Sequence, residues 1–146
     1  REEFDDLVKN GEMLEHAEYV GNCYGTPKGP VESWLNDGLD VILEIDVQGG
    51  AQVKKIMPEC VSIFILPPSM RELENRLRGR STEKDEVVEA RLEAARKEVH
   101  CAEDYDYVVV NDTVEQAVEE IKTIIAAEKH RFIRVSSIVE RVLIDA

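Results

Sequence analysis

Two periods of apolar residues alternate along the chain, and each change of period marks an element. Over 1–10 (REEFDDLVKN) Phe4, Leu7 and Val8 recur at helical spacing, and Gly11 stands where a helix stops. Residues 13–24 (MLEHAEYVGNCY) are rich in strand formers and broken at Gly21-Asn22, which predicts a small antiparallel hairpin or meander. A short helix is expected over 30–36, closed by Asp37-Gly38. Residues 40–46 (DVILEID) run apolar for four positions and end in acids, the pattern of a strand buried on both faces. Residues 52–57 read as helix up to Pro58, and 61–66 (VSIFIL) as a second buried strand closed by Pro67-Pro68. Ser69 and Glu72 form a capping-box pattern opening a helix over 69–78 with Leu73 and Leu77. A charged helix over 83–105 has Val87, Val88, Leu92, Ala95 and Val99 as its apolar face. Residues 107–110 (YVVV) read as a third buried strand. Thr113 and Gln116 then open a long helix bearing Ala117, Val118, Ile121, Ile124 and Ile125, and the tail from Lys129 stays helix-compatible.

Strands separated by helices of this length predict an α/β protein with a parallel sheet. Ligands of such a sheet lie at the carboxyl ends of its strands, which here carry Glu44 and Asp46, Pro67 and Pro68, and Asn111 and Asp112. The length of 146 residues suits one domain or a large piece of one, and 43% apolar content is that of a globular chain. The chain starts at Arg1 inside what reads as a helix, so it is expected to be part of a longer protein.

Charge changes the picture more than composition does. Lys and Arg number 18 against 31 Asp and Glu, a net charge of −13, so the mean field repels nucleic-acid polymers and anionic membranes. No apolar run is long enough to span a bilayer, and no basic-then-apolar signal peptide is seen. Cys23, Cys60 and Cys101 form neither a metal-type pair nor a disulfide framework, which suits a cytoplasmic protein. Eight of the 18 bases fall between Arg71 and Lys97 beside only seven acids. An arginine-rich, nearly neutral segment in an acidic chain points to an anion site, since guanidinium forks grip phosphate oxygens. The plainer alternative is a solvated helix laced with i,i+4 pairs such as Glu72–Arg76. Arg78-Gly79-Arg80, followed by Ser81, Thr82, Glu83 and Lys84, has the composition of a mobile lid.

A second group comprises Glu15, Tyr24, Thr26, Glu44 and Asp46. A carboxylate accepts two N–H bonds side by side and so suits the edge of guanine; a Thr26 hydroxyl can complete that edge, and Tyr24 can donate to a phosphate. Asp46, ending a strand, is placed as an acid near Mg²⁺ and phosphates. The alternative for each is a surface or turn residue, with Gly49 present for close packing. The sequence holds no G-x-x-x-x-G-K-[ST] loop, no G-x-G-x-x-G and no evident nucleophile–base pair. His16, His100 and His130 lack metal-type spacing.

Together these residues resemble the guanylate kinases, in their bacterial form. The stretches that carry the likeness are Phe4 with Leu7, Leu14–Glu18 (LEHAE), Gly21–Thr26 (GNCYGT), Leu43–Gly49 (LEIDVQG), Ser62–Ser69 (SIFILPPS), Arg76–Arg80 (RLRGR) and Tyr105–Asp112 (YDYVVVND), in family order and spacing up to about Lys129. The resemblance implies a three-layer, parallel-sheet P-loop nucleoside-monophosphate-kinase-like fold, truncated at its N-terminus, with a small antiparallel GMP-binding sheet and a helical lid. One domain spans 1–146: a GMP-binding region at 1–36, core at 37–68 and 105–146, and the lid with flanking helices at 69–104.

It implies the reaction ATP + GMP → ADP + GDP with Mg²⁺, in purine metabolism. Glu15 and Thr26 match positions that read guanine, Tyr24 one that contacts the GMP phosphate, and Glu44 an acidic position near the guanine amine. Asp46 matches the acid near Mg²⁺, acting through bound water or phosphate. Arg76, Arg80 and Arg91 match lid arginines on the ATP and transferring phosphates, and Asn111 a position near adenine. The chain departs from the family by lacking the phosphate loop and the Ser/Thr-Thr-Arg-x-Pro-Arg segment that come earlier in it. Cys23 also stands where tyrosine is usual, and Gly50 follows Gly49. The 146 residues alone are therefore expected to be inactive. GMP or dGMP and ATP are the expected partners, and a homo-oligomer, with 129–146 as a contact or helix extension, stays open. The competing readings are a guanylate-kinase-like interaction module without catalysis and a generic nucleotide-binding α/β piece.

Overall fold

The computed structural model describes residues 1–19, 22–80 and 84–144. Gly21 of the expected Gly21-Asn22 break and Ser81, Thr82 and Glu83 of the segment expected to be a lid lie outside them. The chain divides into two compact units, Arg1–Ser62 and Ile63–Ala146.

In the first unit, helix α1 (Glu2–Lys9) is followed by strands β1 (Met13–Tyr19) and β2 (Asn22–Pro27), then α2 (Lys28–Asn36) and α3 (Val47–Ile56). Gly11, at φ +70°, turns the chain out of α1, a conformation a side chain resists. The strands pair antiparallel with Glu15 opposite Thr26, His16 opposite Gly25 and Ala17 opposite Tyr24, and the register shifts between Met13 and Glu15. Gly25 is sterically required: a Cβ there would meet Met13 Cε and lie 2.8 Å from the Glu15 carbonyl oxygen. Leu14, Val31 and Val53 form the core, with Val41, Leu43, Ile45, Met57 and Cys60 packed on it.

The run 40–46 corrects the sequence expectation. Val41, Leu43 and Ile45 are half-buried while Ile42, Glu44 and Asp46 are exposed, the alternation of a strand with one covered face. Yet it is not a strand in the described structure, since no ladder partner lies beside it among the described residues. Helix α3 also begins earlier than the pattern indicates, because Asp46 caps it by accepting from the Gly49 N–H at 2.8 Å.

The second unit runs β3 (Ile63–Leu66), α4 (Met70–Arg80), α5 (Asp85–Glu98), a 3-10 segment (Val99–Asp104), β4 (Tyr107–Val110), α6 (Val114–Glu128) and α7 (Phe132–Ile144). β3 and β4 pair in parallel, Ile63 with Tyr107 through Leu66 with Val110, and Asn111 N–H extends the ladder to the Leu66 carbonyl at 2.8 Å. The hydroxyl half of both capping patterns forms: Ser69 Oγ accepts from Glu72 N–H at 3.0 Å, and Thr113 Oγ1 from Gln116 N–H at 3.2 Å. Val88, Leu92, Val109 and Ala117 are the buried apolar residues of this unit among those described.

Two expectations change here. The helix predicted to reach Tyr105 gives way to the 3-10 segment after Glu98, where Tyr105 packs edge-on against Phe64 with ring centres 5.0 Å apart. β3 and β4 are also not buried on both faces. Ile65, Val108 and Val110 are each close to half exposed while Val109 is buried, because α6 packs on β4 and a two-stranded sheet has little else to cover it. No described helix is long and apolar enough to cross a membrane.

Candidate functional site

In the first unit the hairpin brings together Glu15 and Thr26, separated by ten intervening residues. They are cross-strand partners, and the Thr26 hydroxyl donates to Glu15 Oε1 at 2.9 Å. Glu15 is 7% exposed, an unusual burial for a carboxylate. Its other oxygen faces α3: a Cβ on Gly49 would sit 2.9 Å from Oε2 and 3.2 Å from Ile45 Cβ, so only glycine leaves the carboxylate its place. Asp46 Oδ1 fixes the Gly49 backbone from the other side. The result is a carboxylate oriented by a hydroxyl, with lone pairs left over for a ligand. Such a group accepts parallel N–H bonds well.

Tyr24 is two positions before Thr26 on β2, hence on the same face, and the residue is 57% exposed. Glu44 and Asp46 lie on the exposed side of the 40–46 run. No hydrogen bond joins Glu44 to Glu15 or Thr26 among the described residues. No group of three His, Cys, Asp or Glu side chains able to cage an ion occurs among the described residues. Mg²⁺ held chiefly by phosphates and water needs only one or two carboxylates, and exposed Asp46 fits that role.

In the second unit the arginines divide by what they touch. Arg76 donates Nε to Glu72 Oε1 at 3.0 Å, Nη1 to the Asn111 carbonyl at 2.7 Å and Nη2 to the Asp112 carbonyl at 2.9 Å. It thus fastens α4 to the turn after β4. The same turn carries Asn111, whose N–H continues the β3 ladder. Arg78, not among the expected site residues, binds Glu74, Asp85 and Glu89 and ties α4 to α5. Its hydrogen bond to Glu74, followed by the nearby acids, raises its pKa further. Arg80, the last residue of α4, is exposed and has no side-chain partner among the described residues. Arg91 lies on the exposed side of α5, between buried Val88 and Leu92.

The sequence does not single out Gln52 on α3. Its side-chain amide accepts from His16 N–H at 2.9 Å and donates to the His16 carbonyl at 3.0 Å. A polar residue docking on a backbone leaves no periodic mark; the available signal is that it lies one turn after Gly49. The pair Tyr107 and Glu128 is likewise invisible, since a Glu in an amphipathic helix reads as surface.

The guanylate kinase family profile matches residues 1–128. The chain is 53% identical over 135 residues to the guanylate kinase of Streptococcus thermophilus, covering 92% of this chain and 65% of that protein. It is 50% identical over 145 residues to that of Oceanobacillus iheyensis, covering 99% of this chain and 70% of the relative. The crystal structure of guanylate kinase from Anaplasma phagocytophilum superposes with a TM-score of 0.74 at 41% identity, over 92% of this chain and 65% of that one. The chain therefore spans about two thirds of the length of the relatives it matches.

Proposed function

The chain belongs to the guanylate kinase family, with the α/β nucleoside-monophosphate-kinase-like fold, and on that premise we propose that it serves the transfer of the ATP γ-phosphate to GMP, giving ADP and GDP. The observation that carries this is the buried Glu15 carboxylate held by Thr26. Its free lone pairs suit the ring N–H and exocyclic amine that guanine presents together, and an adenine edge offers no such pair. Thr26 orients the carboxylate and adds a hydroxyl at its side. Tyr24, exposed on the same strand face, donates to the GMP phosphate, and Glu44 contributes negative charge toward the guanine amine.

Arg80 and Arg91 supply guanidinium donors to the ATP phosphates and to the phosphoryl group in flight, where positioning and charge neutralisation supply most of the catalysis. Arg76 reaches the same phosphates only by leaving Glu72 or the turn carbonyls, so its resting part is to fix the turn bearing Asn111, the residue proposed beside adenine. Asp46 would hold Mg²⁺ through bound water or phosphate. When bound, Mg²⁺ neutralises charge on the phosphate oxygens. Closure of the arginine segment excludes water, which would otherwise accept the phosphoryl group. The setting is the cytoplasmic pool of purine nucleotides.

The 146 residues contain no phosphate loop, so turnover by this chain alone is proposed to lie far below the roughly 1–100 s⁻¹ typical of kinases. Calorimetric titration tests the reading without needing turnover. GMP is expected to bind with one site per chain, and AMP not to bind in the same range. Binding of a phosphopeptide with no binding of GMP would overturn it in favour of an interaction module.

A further inference from the structure

Strand β1 presents Glu15, and the next residue, His16, stands opposite Gly25 of β2 while its own N–H and C=O turn to a side chain of α3. His16 N–H donates to Gln52 Oε1 at 2.9 Å, and Gln52 Nε2 donates back to the His16 carbonyl at 3.0 Å. A primary amide laid against a peptide unit in this way copies the two hydrogen bonds that a ladder partner supplies. Gln52 is 36 residues from His16 in sequence, so the contact is tertiary and fixes α3 against the hairpin.

The same helix meets Glu15 a second time. Gly49, three residues before Gln52, lies so near the Glu15 carboxylate that a Cβ there would require the carboxylate to shift, and Asp46 accepts from the Gly49 N–H. One turn of α3 therefore touches both the backbone next to Glu15 and the far oxygen of its side chain. Thr26 restrains the near oxygen from β2. Of these three restraints, Gln52 is the one that hydrogen-bonds the β1 backbone itself, beside the apolar packing of Leu14 with Val53. A carboxylate that must meet two N–H groups at once tolerates little displacement, because both bonds weaken together once the angle is lost.

We propose, resting on Glu15 as the guanine-reading carboxylate, that Gln52 is a positioning residue for base recognition: its amide clamps the His16 peptide so that Glu15 meets the ring N–H and the exocyclic amine together. Gln52 itself does not touch the nucleotide. The consequence is a defect in discrimination more than in affinity as such. Inosine monophosphate keeps the ring N–H and lacks the amine, so the ratio of GMP to IMP affinity reports whether the second bond is made.

The test compares the wild-type chain with Q52A and with Q52M, which keeps the length and packing of glutamine without its hydrogen bonds. GMP and IMP are titrated calorimetrically, and amide exchange at His16 is followed without ligand. Both variants are expected to bind GMP about tenfold more weakly, the worth of one charge-assisted hydrogen bond, with a GMP/IMP ratio that falls toward one. His16 N–H is expected to exchange faster while amides paired in the β1–β2 ladder keep their protection. A general loosening of the hairpin would weaken both nucleotides alike and leave the ratio unchanged, which overturns the proposal. So does a Q52M chain that matches wild type in ratio and in His16 exchange. If the wild-type chain binds no GMP, the guanine reading fails first, and unchanged His16 exchange in Q52M then overturns the clamp independently.

Discussion

The hydroxyl of Tyr107, the first residue of β4, donates to the carboxylate of Glu128, the last residue of α6, at 2.5 Å. Glu128 is only 6% exposed, and Arg131 and Arg134 approach its two oxygens at 3.2 and 3.4 Å. A buried acid thus joins the sheet, α6 and the start of α7. The Tyr107 hydrogen bond, and after it the arginines, hold Glu128 below its ordinary value of 4.5. The same bond, helped by burial, raises Tyr107 above 10.0. A lowered acid stabilises the fold above pH 4.5, and that contribution drains away as the pH falls through the lowered value. The raised phenol works in the opposite sense: its contribution is complete below pH 10.0 and is lost as the pH rises through the raised value. Glu128→Gln is expected to flatten the acid limb of the thermal midpoint against pH, and Tyr107→Phe to shorten it while removing the decline above pH 10.0. Superimposable acid limbs in wild type and Glu128→Gln would show that the cluster carries no linkage.

Thr26→Val removes the hydroxyl that donates to Glu15 Oε1 and leaves a buried acceptor without it. The cost expected in chemical denaturation is about 1–3 kcal/mol. Glu15→Gln keeps the shape but turns an N–H toward the ligand. GMP affinity is then expected to fall on the order of 100-fold, by loss of a charge-assisted pair. Equal affinity in the glutamine variant would remove Glu15 from base recognition.

Asp46 has two separable tasks. As the N-cap of α3 its removal in Asp46→Ala is expected to cost about 1 kcal/mol, whereas asparagine caps as well as aspartate. Asp46→Asn should therefore keep the thermal midpoint yet weaken the Mg²⁺ dependence of ATP binding, read by calorimetry with and without the ion. An unaltered Mg²⁺ dependence would confine Asp46 to capping.

Arg76 spans α4 and the turn at Asn111 and Asp112 with two short bonds from one guanidinium. Arg76→Ala is expected to cost about 2 kcal/mol, discounted for partial exposure, and to speed amide exchange over 111–116. Lysine restores little, because a point charge cannot fork across two carbonyls. Exchange in the alanine variant as slow as in wild type would show that the turn holds itself.

Gly25→Ala places a methyl group against Met13 Cε and 2.8 Å from the Glu15 carbonyl. Backbone cannot retreat as a side-chain tip can, so a loss of about 1–3 kcal/mol is expected. Wild-type stability in that variant would mean that the hairpin shifts its register freely.

Much of the fold was legible in short patterns. Ser69 with Glu72 and Thr113 with Gln116 announced two helix starts, and both caps form, because a cap is a contact across three residues. The hairpin and the parallel pair 63–66 with 107–110 were readable from strand formers between breakers. The run 40–46 reads as a strand by the same rule but is not one here. Hydrophobicity specifies a face to be covered, while a strand also needs a partner for its N–H and C=O groups.

By itself the sequence determined where most of the helices lie and two of their caps, the β-formers, the acidic balance with its arginine-rich interval, and the residues that mark the family. Tertiary structure decided which of several similar carboxylates is buried and oriented: Glu15 by Thr26 and Gly49, Glu128 by Tyr107. It also turned Arg76 toward carbonyls 35 and 36 residues away and set Gln52 on the His16 peptide. The reason is range. Helix and strand periodicity arise from bonds among near neighbours. The desolvation and fixing of one polar group depend on atoms that only chain pairing over tens of residues can bring beside it.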